Sequence, residues 1–150
     1  MPSSWTQNYY HAVWGTKGRE PWISAETEER LHALIGGILK DQKCTPIAIN
    51  GMHEHVHALF RFSSDRAISD IVRHVKSRSS GWIHDTFAGL KGFDWQNGYG
   101  GFTVSKSLVD EVAAYIRNQK EHHTRMSFRD EYLAILRKTG WEGSDDEAFQ

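Results

Sequence analysis

The chain has 150 residues and a formal net charge of −1; 39% of it is hydrophobic, 12% is aromatic, and Cys44 is its one cysteine. This length suits one domain, and this composition excludes an intrinsically disordered chain. A single cysteine excludes an intrachain disulfide and a thiolate metal cluster, and the near-zero charge, taken alone, argues against a nucleic-acid partner.

The first half of the chain predicts a strand, a helix and a hairpin. Residues 5–14 are rich in aromatic side chains and alternate loosely, which indicates a first strand. Ser24 is a good N-cap for a helix whose apolar stripe continues to Leu39. Two short apolar runs, 46–50 and 55–62, predict a β-hairpin, with its turn expected at Gly51 and Met52.

The second half of the chain predicts mainly helices. A long helix is expected at 68–87, followed by a glycine-rich loop and a brief strand at 102–104. Ser107 is the expected N-cap of a helix running to about His122, and residues 127–138 form a final amphipathic helix. The order of elements predicts an α+β fold, in which an antiparallel sheet of ferredoxin-like or RRM-like type is covered by helices.

Three histidines alternate with other residues at the start of the second hairpin strand. His55 and His57 share one strand face and can converge on one ion, while Val56 points to the core. Imidazole suits several divalent metals, so this pattern indicates a metal site. His53 has the same parity, but the nearby turn makes it at most a neighbouring group. A surface strand with incidental histidines is the alternative.

Tyr115 and Gln119 lie four residues apart on a predicted helix and should therefore share a face. A tyrosine hydroxyl is a weak nucleophile near neutral pH, because its ordinary pKa is about 10. A metal could assist it by polarising a phosphate, and the Gln119 carbonyl oxygen could complete the metal's ligands. Taken alone, Tyr115 would more often be a core aromatic residue.

A basic stretch at 73–80 combines charged and hydroxyl side chains that suit phosphate contacts. Arg73, Lys76 and Arg78 are the candidate DNA-binding residues, although a solvated helix face explains them equally well. The wider region 61–91 holds six bases against three acids. The aromatic residues after it could stack on unpaired bases, but core packing is expected for at least one of them: Trp95, Tyr99 and Phe102.

The two ends of the chain bear on its division into domains and on its location in the cell. Residues 140–150 contain four acids and no base, so we predict a domain at 1–138 and an acidic C-terminal tail at 139–150. The first 16 residues lack the pattern of a signal peptide, and no run of about 18 apolar residues could span a membrane. We therefore expect a cytoplasmic protein without a membrane partner.

Five stretches, taken together and in this order, resemble one family. The chain is similar to the single-tyrosine HUH transposases of small bacterial insertion sequences and to their relatives, the REP-associated tyrosine transposases. The histidine–hydrophobic–histidine element alone is moderately specific, whereas the ordered set is highly specific and covers most of the chain. The matching stretches are Tyr10–Lys17, His55–His57, Lys76–Ser80, Trp95–Gly100 and Tyr115–Gln119.

The resemblance implies a function as well as a fold. It implies a homodimer that acts on single-stranded DNA next to hairpins, with Mg²⁺ or Mn²⁺ as cofactor. His55, His57 and Gln119 match the metal ligands. Tyr115 matches the nucleophile, which would form a 5′-phosphotyrosine bond and free a 3′-OH. Rejoining would need no nucleotide cofactor, because the covalent intermediate keeps the bond energy.

Two departures from the family pattern stand out. The family usually has Pro-Asp before the histidine element, whereas this chain has His53 and Glu54. Glu54 keeps the acid, and His53 adds a further imidazole. The chain is also less basic than expected of such a DNA-binding protein, which bears on the strength of DNA binding more than on the active site.

Two other functions fit part of the pattern. Alternating histidines also occur in histidine-triad nucleotide hydrolases, but Glu54 interrupts that motif, and such an enzyme gives Tyr115 and Gln119 no role. A second alternative is a domesticated relative that binds hairpin DNA without cutting it. A histidine-triad enzyme should keep its activity in Tyr115→Phe and need no metal. A labelled oligonucleotide that becomes covalently attached in the presence of Mn²⁺ would separate an active enzyme from the binding protein.

Overall fold

The computed structural model describes residues 4–149. Four strands and five α-helices follow one another along this part of the chain, with short 3₁₀ turns between some of them. They are β1 Tyr9–Gly15, α1 Ala25–Asp41, β2 Thr45–Met52, β3 His55–Arg61, α2 Ile68–Thr86, β4 Gly100–Val104, α3 Val109–Arg117, α4 Gln119–His122 and α5 Phe128–Lys138. None of these helices is long and apolar enough to cross a membrane.

The strands form one antiparallel sheet in the order β2-β3-β1-β4. With α1 between β1 and β2, and α2 between β3 and β4, this is the ferredoxin-like arrangement. The predicted α+β fold with an antiparallel sheet is thus confirmed. The sheet order makes β1 and β3 the two central strands, which places their side chains where helices cover them on both faces.

One face of the sheet forms the main core with α1 and α2. Alternate residues of β1 and β3 point into it, among them Trp14, Val56 and Phe60, which are at most 1% exposed. The helices contribute an apolar stripe each, such as Leu31 and Ile35 of α1. Because strand side chains alternate, the neighbours of these residues must lie on the opposite face.

The opposite face is covered by α3 at one end and by α5 at the other. Leu59 of β3 packs against Ile116 of α3, and Val13 of β1 packs against Phe128 and Tyr132 of α5. Both faces of the central strands are therefore buried. The histidines of β3 lie between these two apolar clusters, on the same face.

Several boundaries differ from the sequence prediction. The first strand begins at Tyr9 and leaves Trp5 80% exposed. The hairpin turn falls at His53 and Glu54, because Gly51 pairs with Val56 inside the ladder. Gly51 serves close packing there, since a Cβ atom at this position would clash with the backbone carbonyl oxygen of His55.

The helix expected from Ser107 to about His122 is in fact two helices. A 3₁₀ turn precedes α3, whose N-cap is Leu108 without a side-chain capping bond. The helix ends at Arg117 and restarts at Gln119, because Asn118 leaves the helical conformation with φ −93° and ψ 16°. By contrast, Ser24 is an N-cap as predicted, and Ser127 caps the final helix; each accepts a hydrogen bond from the backbone three residues on.

The segment after α5 folds back onto it. Asp145 forms ion pairs with Arg129 and Arg137, and the ring of Phe149 packs near those of Phe128 and Tyr132. The predicted acidic tail at 139–150 lies within this segment, apart from residue 150, which is outside the described residues. Its division from the domain at 1–138 stays a prediction.

Candidate active site

The two imidazoles of β3 lie side by side beneath α4 and α5. His55 and His57 are fully buried, and their ring centroids are 5.1 Å apart. Val56 points to the other face of the sheet, as strand alternation predicts. The role of His55 and His57 as metal ligands stays a prediction. The structure brings the two side chains together, with their Nε2 atoms facing α4 and α5.

A carboxylate that the sequence reasoning missed completes this cluster. Glu131 Oε1 of α5 lies 3.0 Å from His57 Nε2 and 3.5 Å from His55 Nε2. One ligand atom from each of the three residues lies within 4.8 Å of the others, and Glu131 is 1% exposed. The signal was present in the sequence, because Glu131 lies three residues after Phe128 on the apolar side of an amphipathic helix.

Gln119 reaches the same cluster from the start of α4. Its Oε1 is 2.9 Å from His55 Nε2, and its Nε2 donates to Glu131 Oε2 at 2.9 Å. The break at Asn118 lets this side chain point inward, where it is fully buried. Gln119 thus lies where a third ligand was predicted, with its carbonyl oxygen turned toward His55.

Tyr115 approaches the cluster through its hydroxyl. The hydroxyl donates a hydrogen bond to Glu131 Oε2, and the ring meets that of His57 edge-on at 5.8 Å between centroids. Burial, with the negative charge of Glu131 beside it, raises the pKa of Tyr115 well above its ordinary value. The candidate nucleophile and the two strand histidines therefore meet at one carboxylate.

The electrostatic state of the cluster follows from these contacts. Although burial alone raises the pKa of Glu131, hydrogen bonds from His123 and His57 hold it well below its usual value. Burial lowers the pKa of His57 to about 4, against the opposing effect of Glu131. Near neutral pH the carboxylate is thus ionised, while the imidazole of His57 is neutral.

Each strand histidine is also bonded through its second ring nitrogen. His55 Nδ1 lies 2.6 Å from Glu54 Oε1, and His57 Nδ1 lies 2.8 Å from His11 Nε2. Such outer partners commonly orient metal-binding imidazoles. His53, by contrast, bonds to the Ile23 carbonyl oxygen at 2.7 Å and lies outside the cluster, which removes the third histidine of a histidine triad.

The donor atoms fit a divalent cation. Glu54 accepts from His55 Nδ1, which leaves His55 Nε2 facing Gln119 Oε1 at 2.9 Å and Glu131 Oε1 at 3.5 Å. Acceptor atoms that face one another are stabilised when a cation lies between them. A mixed set of imidazole nitrogen, carboxylate and amide oxygen suits Mn²⁺ more closely than Mg²⁺, which prefers oxygen alone.

The predicted DNA-binding residues of α2 lie in different surroundings. Arg73 and Lys76 line a groove of about 480 Å³ between α2 and the loop at 94–99. Lys76 Nζ donates to the carbonyl oxygens of Gln96 and Gly98, at 2.7 and 2.6 Å, and so ties the loop to the helix. Arg78 pairs with an acid of α1, Asp41, at 3.1 Å and does not line this groove.

The aromatic residues of the loop divide between core and groove. Trp95 is 4% exposed, and its Nε1 donates to the Ser79 hydroxyl, so it is a core residue, as was expected of at least one of these aromatic residues. Tyr99 lines the groove and is partly exposed. Phe102 of β4 is also partly exposed but packs with the α5 cluster. Cys44 is buried, as predicted.

The charge of Glu131 should be visible in the ionisation of Tyr115. In Glu131→Gln the pKa of Tyr115 is expected to fall, because a neighbouring carboxylate disfavours the phenolate and the amide carries no charge. Absorbance of ionised tyrosine against pH, with the Tyr115→Phe background subtracted in each case, measures this. If Tyr115 ionises over the same pH range in Glu131→Gln as in the unmodified protein, the contact between the Tyr115 hydroxyl and the Glu131 carboxylate is contradicted.

Comparison with known proteins identifies the family. The family model described as Y1_Tnp, transposase IS200 like, matches residues 4–119. Because this match covers more than two thirds of the chain, the chain belongs to the IS200-like transposase family. Membership implies DNA cleavage and strand transfer in transposition, and it confirms the resemblance inferred from the five sequence stretches.

Individual relatives agree with this assignment. The ISDra2 transposase TnpA of Deinococcus radiodurans is 26% identical over 117 residues, which are 75% of this chain and 84% of that protein. A crystal structure of a candidate transposase from Deinococcus radiodurans R1 superposes with a TM-score of 0.67 at 26% identity, covering 79% of this chain and 95% of that one.

The fold also extends to a second group of transposases. A REP-associated tyrosine transposase, solved bound to a REP hairpin, superposes with a TM-score of 0.58 at 15% identity. The match covers 98% of this chain and 78% of that one, so it includes the region after residue 119 that the family model leaves out. The common architecture therefore includes the C-terminal helices as well as the sheet.

Proposed function

We propose that this transposase cleaves and rejoins single-stranded DNA through a 5′-phosphotyrosine intermediate at Tyr115, with the help of a divalent metal. The observation that carries the proposal is the meeting of the Tyr115 hydroxyl and the imidazoles of His55 and His57 at the Glu131 carboxylate. A nucleophile beside a cluster of metal-binding side chains is the arrangement that phosphodiester cleavage needs.

The residues that would hold the metal are His55, His57 and Glu131, together with the carbonyl oxygen of Gln119. When bound there, Mg²⁺ or Mn²⁺ would neutralise charge on the phosphate and make it more electrophilic. Glu54 and His11 would hold the two imidazoles in place through their Nδ1 atoms. Glu131 is an addition to the ligand set that the sequence predicts.

Tyr115 would supply the attacking oxygen. Its hydroxyl, which donates to Glu131 in this structure, has to turn from that carboxylate toward the phosphorus. The hydroxyl gives up its proton as the Tyr115 O–P bond forms and the bond from phosphorus to the 3′ oxygen breaks, and the departing 3′ oxygen takes up a proton. Attack by a 3′-OH on the phosphotyrosine reverses the step, so rejoining requires no nucleotide cofactor.

The DNA would approach over the basic side of α2. The REP-associated relative is bound to a hairpin in its own structure, which supports single-stranded DNA with hairpins as the partner of this chain. The groove beside α2 combines Arg73 and Lys76 with the partly exposed ring of Tyr99, a combination that suits phosphates and an unstacked base. We include Arg78, on the same helix, among the DNA-binding residues.

Phosphate contact by these residues has a measurable signature. Arg73→Ala is expected to weaken oligonucleotide binding and to reduce the salt slope of the binding constant by about 1, because one phosphate contact is lost. Arg78→Ala should act in the same direction. Lys76→Ala is less informative, because Lys76 also ties down the 94–99 loop.

Fluorescence anisotropy at several salt concentrations measures the slope for each variant. Arg137→Ala is the control. This exposed arginine of α5 pairs with Asp145 and does not line the groove. A slope that Arg73→Ala leaves unchanged would remove Arg73 from the DNA contacts.

Three further features complete the proposal. We propose that the protein acts as a homodimer, in which a tyrosine helix could serve either subunit's histidines. We propose a cytoplasmic location, where its DNA substrate would be reached. The acidic segment at 139–150 would be an appendage to the transposase domain at 1–138, fastened by the ion pairs of Asp145.

The test is covalent capture of a labelled oligonucleotide. Single-stranded DNA with a hairpin, taken from the sequence that flanks the gene, is incubated with the protein and Mn²⁺ and then separated under denaturing conditions. We expect a labelled band at the mass of the protein plus DNA, which disappears with EDTA and does not form with fully duplex DNA. Tight binding without a covalent band would favour a domesticated protein that binds hairpins only.

A further inference from the structure

A hydrogen bond between two imidazoles links β1 to the candidate metal ligands. His11 Nε2 lies 2.8 Å from His57 Nδ1, and the two rings stack with 25° between their planes. Both side chains are buried, at 7% and 0% exposure. Between two neutral rings only one of the facing nitrogens carries the hydrogen, so this bond has two possible directions.

The surroundings of His57 set the direction in the metal-free protein. The Glu131 carboxylate accepts from the Tyr115 hydroxyl and from Gln119 Nε2, and an accepting carboxylate requires a hydrogen on His57 Nε2 for the contact at 3.0 Å. A neutral His57 then has a lone pair on Nδ1. His11 must therefore donate from its Nε2, which leaves a lone pair on His11 Nδ1.

A metal on His57 would require the opposite direction. The cation would replace the hydrogen of His57 Nε2, which leaves as a proton, and His57 Nδ1 would take the hydrogen that lay between the two rings and donate it to His11 Nε2. His11 would in turn carry its hydrogen on Nδ1. The two rings together hold the same number of hydrogens in both states. His11 borders an open cavity of about 500 Å³, large enough for water to exchange the hydrogen at that ring.

The second ligand, His55, has a different partner. Its Nδ1 contacts the carboxylate of Glu54 at 2.6 Å, and a carboxylate accepts only. The Glu54 carboxylate accepts from His55 Nδ1 whether or not a metal binds, so this hydrogen bond has no direction to reverse. An imidazole partner, which can both donate and accept, is the feature that distinguishes His57 from His55.

We propose that His11 is a positioning residue that switches from donor to acceptor, so that His57 can exchange its bond to Glu131 for a bond to the metal. The inference rests on the proposed role of His57 as a metal ligand. It adds His11 of β1 to the residues that position the site, and it gives His55 and His57 different roles.

The hydrogen positions can be observed directly by long-range ¹H–¹⁵N NMR of the imidazole rings, with signals assigned from His11→Gln and His57→Gln. In the metal-free protein we expect the hydrogen on Nε2 of both His11 and His57. Adding Zn²⁺, a diamagnetic probe, should move both hydrogens to Nδ1. His57 carrying its hydrogen on Nδ1 before metal is added would overturn the proposal.

The same titration separates this proposal from the proposed function. If Zn²⁺ shifts His57 while His11 keeps its hydrogen on Nε2, the switch is wrong and the metal site stands. If Zn²⁺ changes neither ring, the metal role of His57 fails, and the switch fails with it. A tautomer change without any DNA adduct would support the switch and contradict the cleavage function.

Variants of His11 test the consequence for metal affinity. His11→Phe keeps an aromatic ring but cannot accept from His57, so the Kd for Zn²⁺ should rise by about 10- to 100-fold, the usual effect of losing such an outer partner. His11→Gln, which can donate or accept, should restore most of the affinity. The control is His84→Phe. It removes an imidazole of α2 that is hydrogen-bonded to the Phe93 carbonyl oxygen. Wild-type affinity in His11→Phe would overturn the proposal.

Discussion

Replacing Tyr115 with Phe is expected to abolish the covalent DNA adduct while leaving DNA binding unchanged. The substitution removes only the hydroxyl oxygen, and the ring keeps its edge-on contacts with His57 and His122. Loss of a nucleophile costs on the order of 10⁴-fold or more in rate, because the remaining groups cannot replace the covalent step. Denaturing gels measure the adduct, and anisotropy measures binding.

Tyr132→Phe provides the matched control. Tyr132 follows Glu131 on α5 and is 4% exposed, so this variant also removes the hydroxyl of a buried tyrosine, one whose hydroxyl lies beside Gly100. We expect it to form the adduct as the unmodified protein does. An adduct of normal yield in Tyr115→Phe would remove Tyr115 from the role of nucleophile.

Replacing His57 with Ala is expected to remove metal-dependent cleavage. His57 supplies one of the three buried donors, and without it Glu131 Oε1 keeps contacts only to His55 and His123. We expect cleavage to fall by at least about 100-fold, since loss of an outer partner alone costs about 10- to 100-fold in metal proteins. The adduct yield is measured against Mn²⁺ concentration.

Stability has to be measured alongside cleavage, because His57 is fully buried. Circular dichroism melting should show a folded protein for His57→Ala, and His57→Gln should lose cleavage while filling more of the space. His53→Ala is the control, since His53 lies in the hairpin turn just before β3 and outside the cluster. Cleavage that persists in both His57 variants, or in EDTA, would contradict metal dependence.

Much of the site's framework could be predicted from local patterns. Strand alternation alone places His55 and His57 on one face and Val56 on the other, because successive side chains of a strand point in opposite directions. Ser24 and Ser127 identify helix starts through their capping hydroxyls. The order of strands and helices was also sufficient for the α+β fold, since short connections leave few arrangements of four strands.

The long-range members of the site could not be predicted in the same way. Glu131 meets His57 across 74 residues of chain, and His11 meets it across 46. Those contacts depend on the register of β1 with β3 and on how α5 docks, which one sequence does not specify. A buried acid on the apolar side of α5 was the available signal for Glu131.

Small departures from regular structure decide the rest of the geometry. The break at Asn118 turns Gln119 inward, whereas an uninterrupted helix was predicted there. The turn at His53 and Glu54 keeps His53 out of the cluster of His55, His57 and Glu131 and places the Glu54 carboxylate against His55 Nδ1. Both effects come from one or two backbone angles, which local propensity predicts poorly.

Mass spectrometry of the covalent adduct tests the central claim most directly. Trypsin cuts after Lys106 and Arg117, so the peptide 107–117 contains Tyr115 as its one tyrosine, whereas Tyr132 falls in the peptide 130–137. The account predicts that DNA-derived nucleotide mass is attached to Tyr115 in peptide 107–117, in a reaction that requires Mn²⁺. Nucleotide found on any other residue, or an adduct formed equally in EDTA, would contradict it.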